Sequence, residues 1–310
     1  MITQGLHHVT AIASDARRNH DFYTQVLGQR LVKKTVNFDD PGSYHTYFGD
    51  ESGLPGTIIT FFPWPGASRG RSGAGNVVAT AYNVPAGSIG FWTTRLVDKG
   101  VRILNDEPRF GARVLSFEDP DGMVIELIEH ASVVAPYAAK DIPSERAIRG
   151  FHSVTLLERS LDATAEVLME KLGYVAKGSE GNRHRFVAPG EAHGQIVDVL
   201  IDAKAGRGMP GAGTVHHVAY RAKDDPEQQA AQADLQNSGL HVSPIMDRNY
   251  FHSIYFREPG GVLFEIATDA PGMAIDEPLD SLGEALKLPA QYEKHRKDIE
   301  AALPPLVGAK

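Results

Sequence analysis

The chain has 310 residues, a net charge of -8 at neutral pH and no cysteine. This length suits two domains of ordinary size, and the lack of cysteine excludes disulfides, cysteine-ligated zinc and a thiol nucleophile. A pI of about 5.9 argues against nucleic-acid or anionic-membrane partners, because both require a basic surface. The N-terminus lacks the pattern of a signal peptide, and no apolar run is long enough to span a membrane. We therefore expect a cytoplasmic protein.

Four segments along the chain repeat one pattern, in which an alternating, β-branched strand is followed by a helix and then by strands and turns. The segments begin near residues 6, 77, 151 and 215. A unit of about 60 to 75 residues with this much β character is unlike a helical solenoid. The predicted fold class is therefore α+β, with four βαβββ modules paired into two domains whose curved mixed sheets enclose a metal site.

The helices of the modules are delimited by caps and glycines. The glycines that end the four predicted helices are Gly28, Gly100, Gly173 and Gly239. Asp15 and Ser160 stand where the N-caps of the first and third helices are expected. Two later stretches, 117–129 and 256–268, are close copies that predict a strand, a Pro-Gly-type turn and a second strand.

Composition predicts the domain boundaries. We expect an N-terminal domain of two modules at 1–130, a linker at 131–149 that is rich in proline, alanine and charge, and a C-terminal domain of two modules at 150–270. A helical tail is expected at 271–310, where it would pack against a domain or a partner subunit.

The tail and a glycine-rich run also have recognisable sequence patterns. Within the tail, the sequences SLGEALKL and AQYEKHRKDIEAAL have helical patterns. The glycine-rich run WPGASRGRSGAGN lacks the strand-to-helix context of a phosphate-binding loop, so it predicts a flexible loop.

The most unusual residues are two histidine pairs. His7 and His8 open the first module, and His216 and His217 open the fourth. Neighbouring strand residues face opposite sides of a sheet, so one histidine of each pair faces the concave side. Glu265 lies in the middle of an apolar strand of the fourth module, and a buried carboxylate requires a partner. A cation shared with the histidines would provide one.

Spacing favours a particular set of ligands. His217 and Glu265 are 48 residues apart, which suits the first and last strands of one module, and His8 would come from another module. Two imidazoles and one carboxylate on one face of a metal leave open positions for an organic ligand and O2, as in non-haem Fe(II) oxygenases. Closed structural zinc would need a fourth protein ligand.

A rival set contains one imidazole and two carboxylates. Glu126 lies in the second module, and His152 and Asp198 lie in the third. Such a site would suit Mg or Mn better than Fe(II). Spacing by itself favours the first set and leaves this one open.

Polar side chains crowd the hairpin that leads to Glu265. Tyr255 and Glu265 flank its turn and are expected to approach each other across the two strands. A tyrosine there could bond a bound phenolate, and Arg248 could neutralise charge that develops on a substrate or on oxygen.

The order of several motifs along residues 5 to 300 resembles that of a known superfamily. These motifs are GLHHVT, VLGQRLVKKTVNFDD, YHTYFGDESGLPGTIITFFP, RGFHSVT, EGNRHRF, HHVAY, DRNYF and PGGVLFE. The chain resembles the vicinal oxygen chelate superfamily, which includes glyoxalase I and extradiol dioxygenases. Within it, the chain is most similar to the ring-cleaving dioxygenases of hydroquinones, including the chlorohydroquinone and methylhydroquinone types.

This resemblance implies a set of roles. It implies that His8, His217 and Glu265 bind Fe(II), with Mn, Zn or Ni as substitutes in purified protein, and it decides against the rival set. It also implies active-site roles for the four residues His7, His216, Arg248 and Tyr255. The expected activity is extradiol-type cleavage of a hydroquinone, or a catechol, by O2. A homo-oligomer without nucleic-acid or membrane partners is expected.

Two other functions remain to be distinguished. A glyoxalase-like isomerase or lyase would use the metal to polarise an enediolate and would consume no O2, but it usually requires four protein ligands. A non-enzymatic protein that binds aromatic molecules would need no metal, and it would leave Glu265 unexplained.

Overall fold

The computed structural model describes residues 1, 3–190 and 193–306. Each module contains four strands and one helix. The first contains β1 (Leu6–Ala13), α1 (Ala16–Asp21), β2 (Arg30–Val36), β3 (Tyr44–Gly49) and β4 (Ile58–Pro63). The second contains β5 (Asn76–Val84), α2 (Ile89–Asp98), β6 (Ile103–Asn105), β7 (Val114–Glu118) and β8 (Val124–Glu129).

The third and fourth modules repeat this plan. The third contains β9 (Phe151–Glu158), α3 (Asp162–Glu166), β10 (Val175–Glu180), β11 (Arg183–Val187) and β12 (Ile196–Ile201). The fourth contains β13 (Thr214–Ala222), α4 (Asp225–Asn237), β14 (Met246–Asp247), β15 (Phe251–Arg257) and β16 (Leu263–Pro271). Helices α1 and α3 continue as π-helical turns over Phe22–Val26 and Val167–Lys171.

The modules form two eight-stranded mixed sheets. The first sheet has the strand order β14-β15-β16-β13-β1-β4-β3-β2, and the second sheet has the order β10-β11-β12-β9-β5-β8-β7-β6. The predicted α+β class with four modules and curved mixed sheets is confirmed. The pairing of modules differs from the sequence order, because the first sheet joins modules one and four and the second joins modules two and three.

The expected domain bounds along the chain stay a prediction. The segments 1–130 and 150–270 each contribute one module to each sheet, so neither segment forms a sheet of its own. The physical reason lies in the strand edges. Each module leaves its opening strand at the edge of its own four strands, where backbone groups are unpaired. In both sheets that edge is covered, antiparallel, by the opening strand of a module from the other half of the chain.

Helix caps follow the sequence in two modules and differ from it in a third. The Asp15 side chain accepts a hydrogen bond from a backbone N–H at the start of α1, and Asp224 does the same for α4. The predicted cap at Ser160 is wrong, since α3 begins one residue later, with Leu161 at the N-cap position and no side-chain bond.

Helix α2 packs on β6, β7 and β8 of the second sheet, and α4 packs on β13, β15 and β16 of the first sheet. One buried apolar cluster runs through both sheets and includes Tyr82, Trp92, Phe151 and Phe264. None of the helices in the described ranges has the length and apolar character needed to cross a membrane.

The glycine-rich run at 64–76 is not a free loop, contrary to expectation. Its backbone pairs with the segment 207–212, for example through bridges of Arg69 with Ala212 and of Arg71 with Met209. A Cβ at Gly70 would lie 2.9 Å from the backbone nitrogen of residue 211. The two segments can therefore approach each other only because Gly70 lacks a side chain.

The tail packs on the first module. The sequence predicted packing against a domain or against a partner subunit, and the first of these is observed. The second helical pattern forms a 3-10 segment, Ala290–His295, followed by α5 (Arg296–Ala302). The first pattern forms no helix, since its Leu286 instead makes a backbone bridge with Lys34. The apolar side chains that join the tail to the first module include Val36, Tyr44, Leu288, Ile299 and Leu303.

Candidate metal centre

Three potential metal ligands meet on adjacent strands of the first sheet. His8 lies on β1, His217 on β13 and Glu265 on β16. The Nε2 atoms of the two histidines are 3.4 Å apart, and they lie 3.3 and 2.9 Å from Oε2 of Glu265. Among the described residues this is the one group of three that could hold a metal ion.

Strand register explains the convergence. Ala219 of β13 pairs with His8 on one side and with Glu265 on the other, which aligns the two ligands across the sheet. Register shifts in the β1–β13 pairing leave His7 and His216 outside the regular ladder. These bulges re-aim the following histidines, as bulges next to active sites commonly do.

Hydrogen bonds of His7 determine the tautomers of the first histidine pair. Nε2 of His7 lies 3.1 Å from the backbone oxygen of Thr268, which can only accept, so His7 carries its proton on Nε2. Nδ1 of His7 then accepts from Nδ1 of His8, 2.9 Å away. The Nε2 lone pair of His8 is thereby directed at the cluster. His216 and His217 repeat the contact between Nδ1 atoms at 2.8 Å.

Glu265 is fully buried and only half satisfied. Its Oε1 accepts a hydrogen bond from the Ser253 hydroxyl, whereas Oε2 has no hydrogen-bond partner in the described part of the chain. Burial by itself would raise the pKa of Glu265, but His8 and His217 hold it well below its ordinary value. Burial lowers the pKa of His217. A cation shared by this carboxylate oxygen and the two imidazole nitrogens would satisfy Oε2 of Glu265.

The cluster fits a divalent metal. Bonds of about 2.1 Å at right angles place neighbouring ligand atoms about 3 Å apart, close to the three separations found here. Two imidazole nitrogens and one carboxylate oxygen suit Fe(II), Mn, Ni or Zn, and they leave coordination positions open.

The rival ligand set is occupied by arginines. Glu126 makes two hydrogen bonds with Arg109, at 2.6 and 2.7 Å. Asp198 makes two with Arg185, at 2.8 and 2.9 Å. His152 contacts the hydroxyl of Ser153 rather than either carboxylate. These groups form ion pairs, and the alternative metal site is thereby excluded.

A cavity of about 360 Å³ is lined by two of the three ligands, His8 and His217. Its volume suits one substituted aromatic ring. Aromatic side chains form much of its wall, and they are Phe38, Tyr47, Phe62, Trp64 and Phe251. Such walls favour a flat apolar ligand, with specificity left to a few polar groups.

Arg248 and Tyr255 are polar residues that line the same cavity. Nε of Arg248 donates to the Tyr255 hydroxyl at 3.3 Å, and the Tyr255 ring packs against His217 with 5.5 Å between ring centroids. Burial raises the pKa of Tyr255, so its hydroxyl stays protonated at neutral pH. The loop of Arg248 is fixed by the neighbouring Tyr250, which is buried and donates to Asp276 of the tail.

The sequence did not identify His45 as a site residue. It lines the cavity, and its two ring nitrogens contact the hydroxyls of Thr60 and Tyr47 at 2.8 and 3.0 Å. Alternation along β3 places His45 and Tyr47 on one face, so strand periodicity could have found it once the cavity-facing side was known.

A family model described as the glyoxalase/bleomycin resistance protein/dioxygenase superfamily matches residues 5–127 and 137–266. The chain belongs to this superfamily. The resemblance drawn from the motifs is therefore confirmed. The two matched ranges each cover two modules in sequence, although each sheet combines modules from both ranges.

Relatives within the superfamily cover the whole chain. A Bacillus subtilis (strain 168) protein named "Putative ring-cleaving dioxygenase MhqO" is 48% identical over 98% of this chain and 96% of its own length. The chlorohydroquinone/hydroquinone 1,2-dioxygenase of Sphingobium indicum is 37% identical over 94% of this chain and 92% of its own. A crystal structure described as a "putative dioxygenase" from B. subtilis is 47% identical, has a TM-score of 0.95 and covers 98% of both chains.

Proposed function

We propose that this protein is a ring-cleaving dioxygenase that uses Fe(II) and O2 on a hydroquinone-type, or catechol-type, substrate. One observation carries the proposal. The buried Oε2 of Glu265 and the Nε2 atoms of His8 and His217 converge beside an aromatic cavity, in an arrangement that could hold a metal ion. The names of the full-length relatives support the reaction class.

When bound, Fe(II) supplies electron exchange between a coordinated diphenol and O2, for which a two-imidazole, one-carboxylate set leaves positions open. In the proposed extradiol-type reaction, the bond that is cleaved would lie between the hydroxyl-bearing carbon and its neighbour. Mn, Zn or Ni would occupy the same three ligands in protein purified without added iron.

The chain's own residues would orient the ring and manage its charge. The aromatic walls hold the ring and exclude water, which strengthens every polar interaction inside the cavity. Tyr255, which stays protonated, would donate a hydrogen bond to a substrate oxygen. Arg248 would stabilise negative charge there, since it donates to Tyr255 and faces the same cavity.

The hydrogen bonds of His7 favour an orienting role over proton transfer. Both of its ring nitrogens are engaged, and burial and the neighbouring His8 lower its pKa well below the ordinary value. Burial and the neighbouring His217 lower the pKa of His216 to about 3, so it too stays neutral and can accept from His217. Each would set the tautomer of the ligand that follows it.

Anaerobic reconstitution with Fe(II), followed by O2 uptake with hydroquinone, methylhydroquinone and catechol, tests the proposal. We expect uptake stoichiometric with ring opening in the wild type and none in Glu265→Gln. Turnover of an α-ketoaldehyde hemithioacetal without O2 uptake would instead indicate an isomerase, and activity in iron-free protein would contradict the proposal. The expected cytoplasmic location and homo-oligomeric state stay predictions.

A further inference from the structure

A second cavity, of about 820 Å³, adjoins the aromatic cavity. The two share His216, His217 and Leu263 in their walls, so both cavities reach the candidate ligand His217. The second cavity lies between the turn of the β15–β16 hairpin and the segments 158–160 and 207–210. Nothing in the reaction proposed above uses it.

The second cavity differs from the first in charge. Arg159, Arg207 and Arg257 line it, and within the described residues none of the three forms an ion pair with a carboxylate. Nε of Arg159 donates to the backbone of residue 205, and Nη1 of Arg257 donates to Gly261, both at 2.9 Å. These bonds tether two guanidinium groups to the cavity wall and leave further N–H groups of each free to bind an anion.

The corresponding corner of the molecule is closed by a carboxylate. The turn sequences DPDG and EPGG of the two copied hairpins align letter by letter, which matches Asp121 with Gly260. Asp121 accepts hydrogen bonds from Ser14 and Arg18 and so fills its corner. Gly260 contributes no side chain, and a Cβ there would lie 2.3 Å from Oε2 of Glu158. The missing side chain therefore leaves room for the Glu158 carboxyl group at the wall of the second cavity.

Glu158 adds a buried polar group to this cavity. It is only 1% exposed, and its Oε1 has no hydrogen-bond partner in the described part of the chain. Burial and the neighbouring Glu258 raise the pKa of Glu158 to about 8. The group is therefore largely a neutral carboxylic acid at pH 7, able to donate a hydrogen bond to an anion.

We propose that this arginine-lined cavity binds the carboxylate of the ring-opened product and provides its exit from the metal site. This inference rests on the proposed function. Cleavage breaks the bond between the hydroxyl-bearing carbon and its neighbour, and both atoms of O2 enter the product. The first carbon becomes a carboxyl group and the second an aldehyde, with the ring as the electron donor. The neutral diphenol therefore suits the aromatic cavity, and the anionic product suits the arginines.

Calorimetric titration with hexa-2,4-dienedioate, a stable ring-opened dicarboxylate, tests this inference on the protein as purified and on the Fe(II)-loaded protein without O2. We expect Arg159→Met/Arg257→Met to weaken binding by about 10-fold or more, since charge-assisted hydrogen bonds are lost. The KM for hydroquinone should stay unchanged while inhibition by the dicarboxylate falls. Arg17→Met, which removes an exposed arginine 3.9 Å from Asp21, is the matched control.

The outcomes separate this inference from the proposed function. Dicarboxylate binding that is unaffected by the double variant, or that instead depends on Arg248, overturns the exit cavity even if O2 uptake is normal. Binding that requires Arg159 and Arg257 in a protein that opens no diphenol ring supports the anion site and contradicts the proposed activity. A thermal melt of each variant shows whether any loss of binding reflects unfolding.

Discussion

At the centre of the first sheet Glu265 faces two imidazoles, and at the matching position of the second sheet Glu126 faces the guanidinium of Arg109. The register is the same in both sheets, since Glu265 pairs with Ala219 and Glu126 with Ala81. Both carboxylates are buried. Both regions therefore contain a buried carboxylate at the same position of the sheet, and they differ in the groups that face this carboxylate.

The difference lies in the residues around each carboxylate. His8 is replaced in register by Ser153, and His217 by Ala79, because each pair of partners aligns with the same neighbours. The second sheet has no imidazole at these positions, so a covalently attached arginine neutralises Glu126. The first sheet places two imidazole nitrogens beside Glu265, and these three groups could hold a metal ion. Two replaced histidines and an added arginine thus separate the candidate metal site from the ion pair.

Substitution of the two carboxylates should give the largest difference between the sheets, and the quantity that differs is the affinity for Fe(II). We expect Glu265→Gln to weaken Fe(II) binding by more than about 100-fold, because loss of a ligand costs more than loss of an outer partner. Glu126→Gln should bind Fe(II) as the wild type does. Anaerobic titration against a competing chelator measures both affinities. Equal loss in the two variants would contradict the assignment of the metal to the first sheet.

The ion pair of the second sheet should instead contribute to stability. Glu126→Gln leaves the largely buried Arg109 unpaired and should lower the free energy of unfolding by about 3 kcal/mol, measured by urea denaturation. Arg109→Met/Glu126→Leu should recover much of this loss, because both charges are then removed. Arg102→Met, which breaks an exposed pair with Glu118, should cost less than about 1 kcal/mol.

Substitution of the first histidine in β1 and of its counterpart in β9 should also affect Fe(II) affinity differently. His7→Phe removes the acceptor for Nδ1 of His8, so we expect Fe(II) affinity to fall by about 10-fold with the three ligands intact. His152→Phe, at the matching position of the second sheet, should leave Fe(II) affinity unchanged. An unaltered affinity in His7→Phe would show that the tautomer of His8 is set by something else.

The smallest expected effect on the free energy of unfolding concerns the N-termini of α1 and α3. Asp15→Ala removes a side-chain cap and should lower the free energy of unfolding by about 1 kcal/mol. Ser160→Ala should have almost no effect, because α3 begins after Leu161 without a side-chain bond. Thermal denaturation of the two variants measures both changes. A larger loss for Ser160→Ala would restore the cap expected from the sequence.

The sequence by itself determined the repeating modules and the composition of the candidate site. Strand alternation and glycine stops are local properties, so they predicted β1, α1, β13 and α4 correctly. An isolated carboxylate within the apolar strand around Glu265 is costly wherever that strand lies, so it indicated a cation before any partner was known. The matching Glu126 had the same appearance, so spacing only favoured Glu265, and the family resemblance decided between the two.

Only the tertiary structure decided how the modules pair and which carboxylate meets an arginine. All four opening strands have similar edges, so local pattern does not specify that β1 pairs with β13 and β5 with β9. The contact of Arg109 with Glu126, the bulges at His7 and His216, and the close approach of Glu158 to Gly260 depend on the relative placement of distant strands. Residues far apart in the chain set these features, and periodicity within one module carries no information about them.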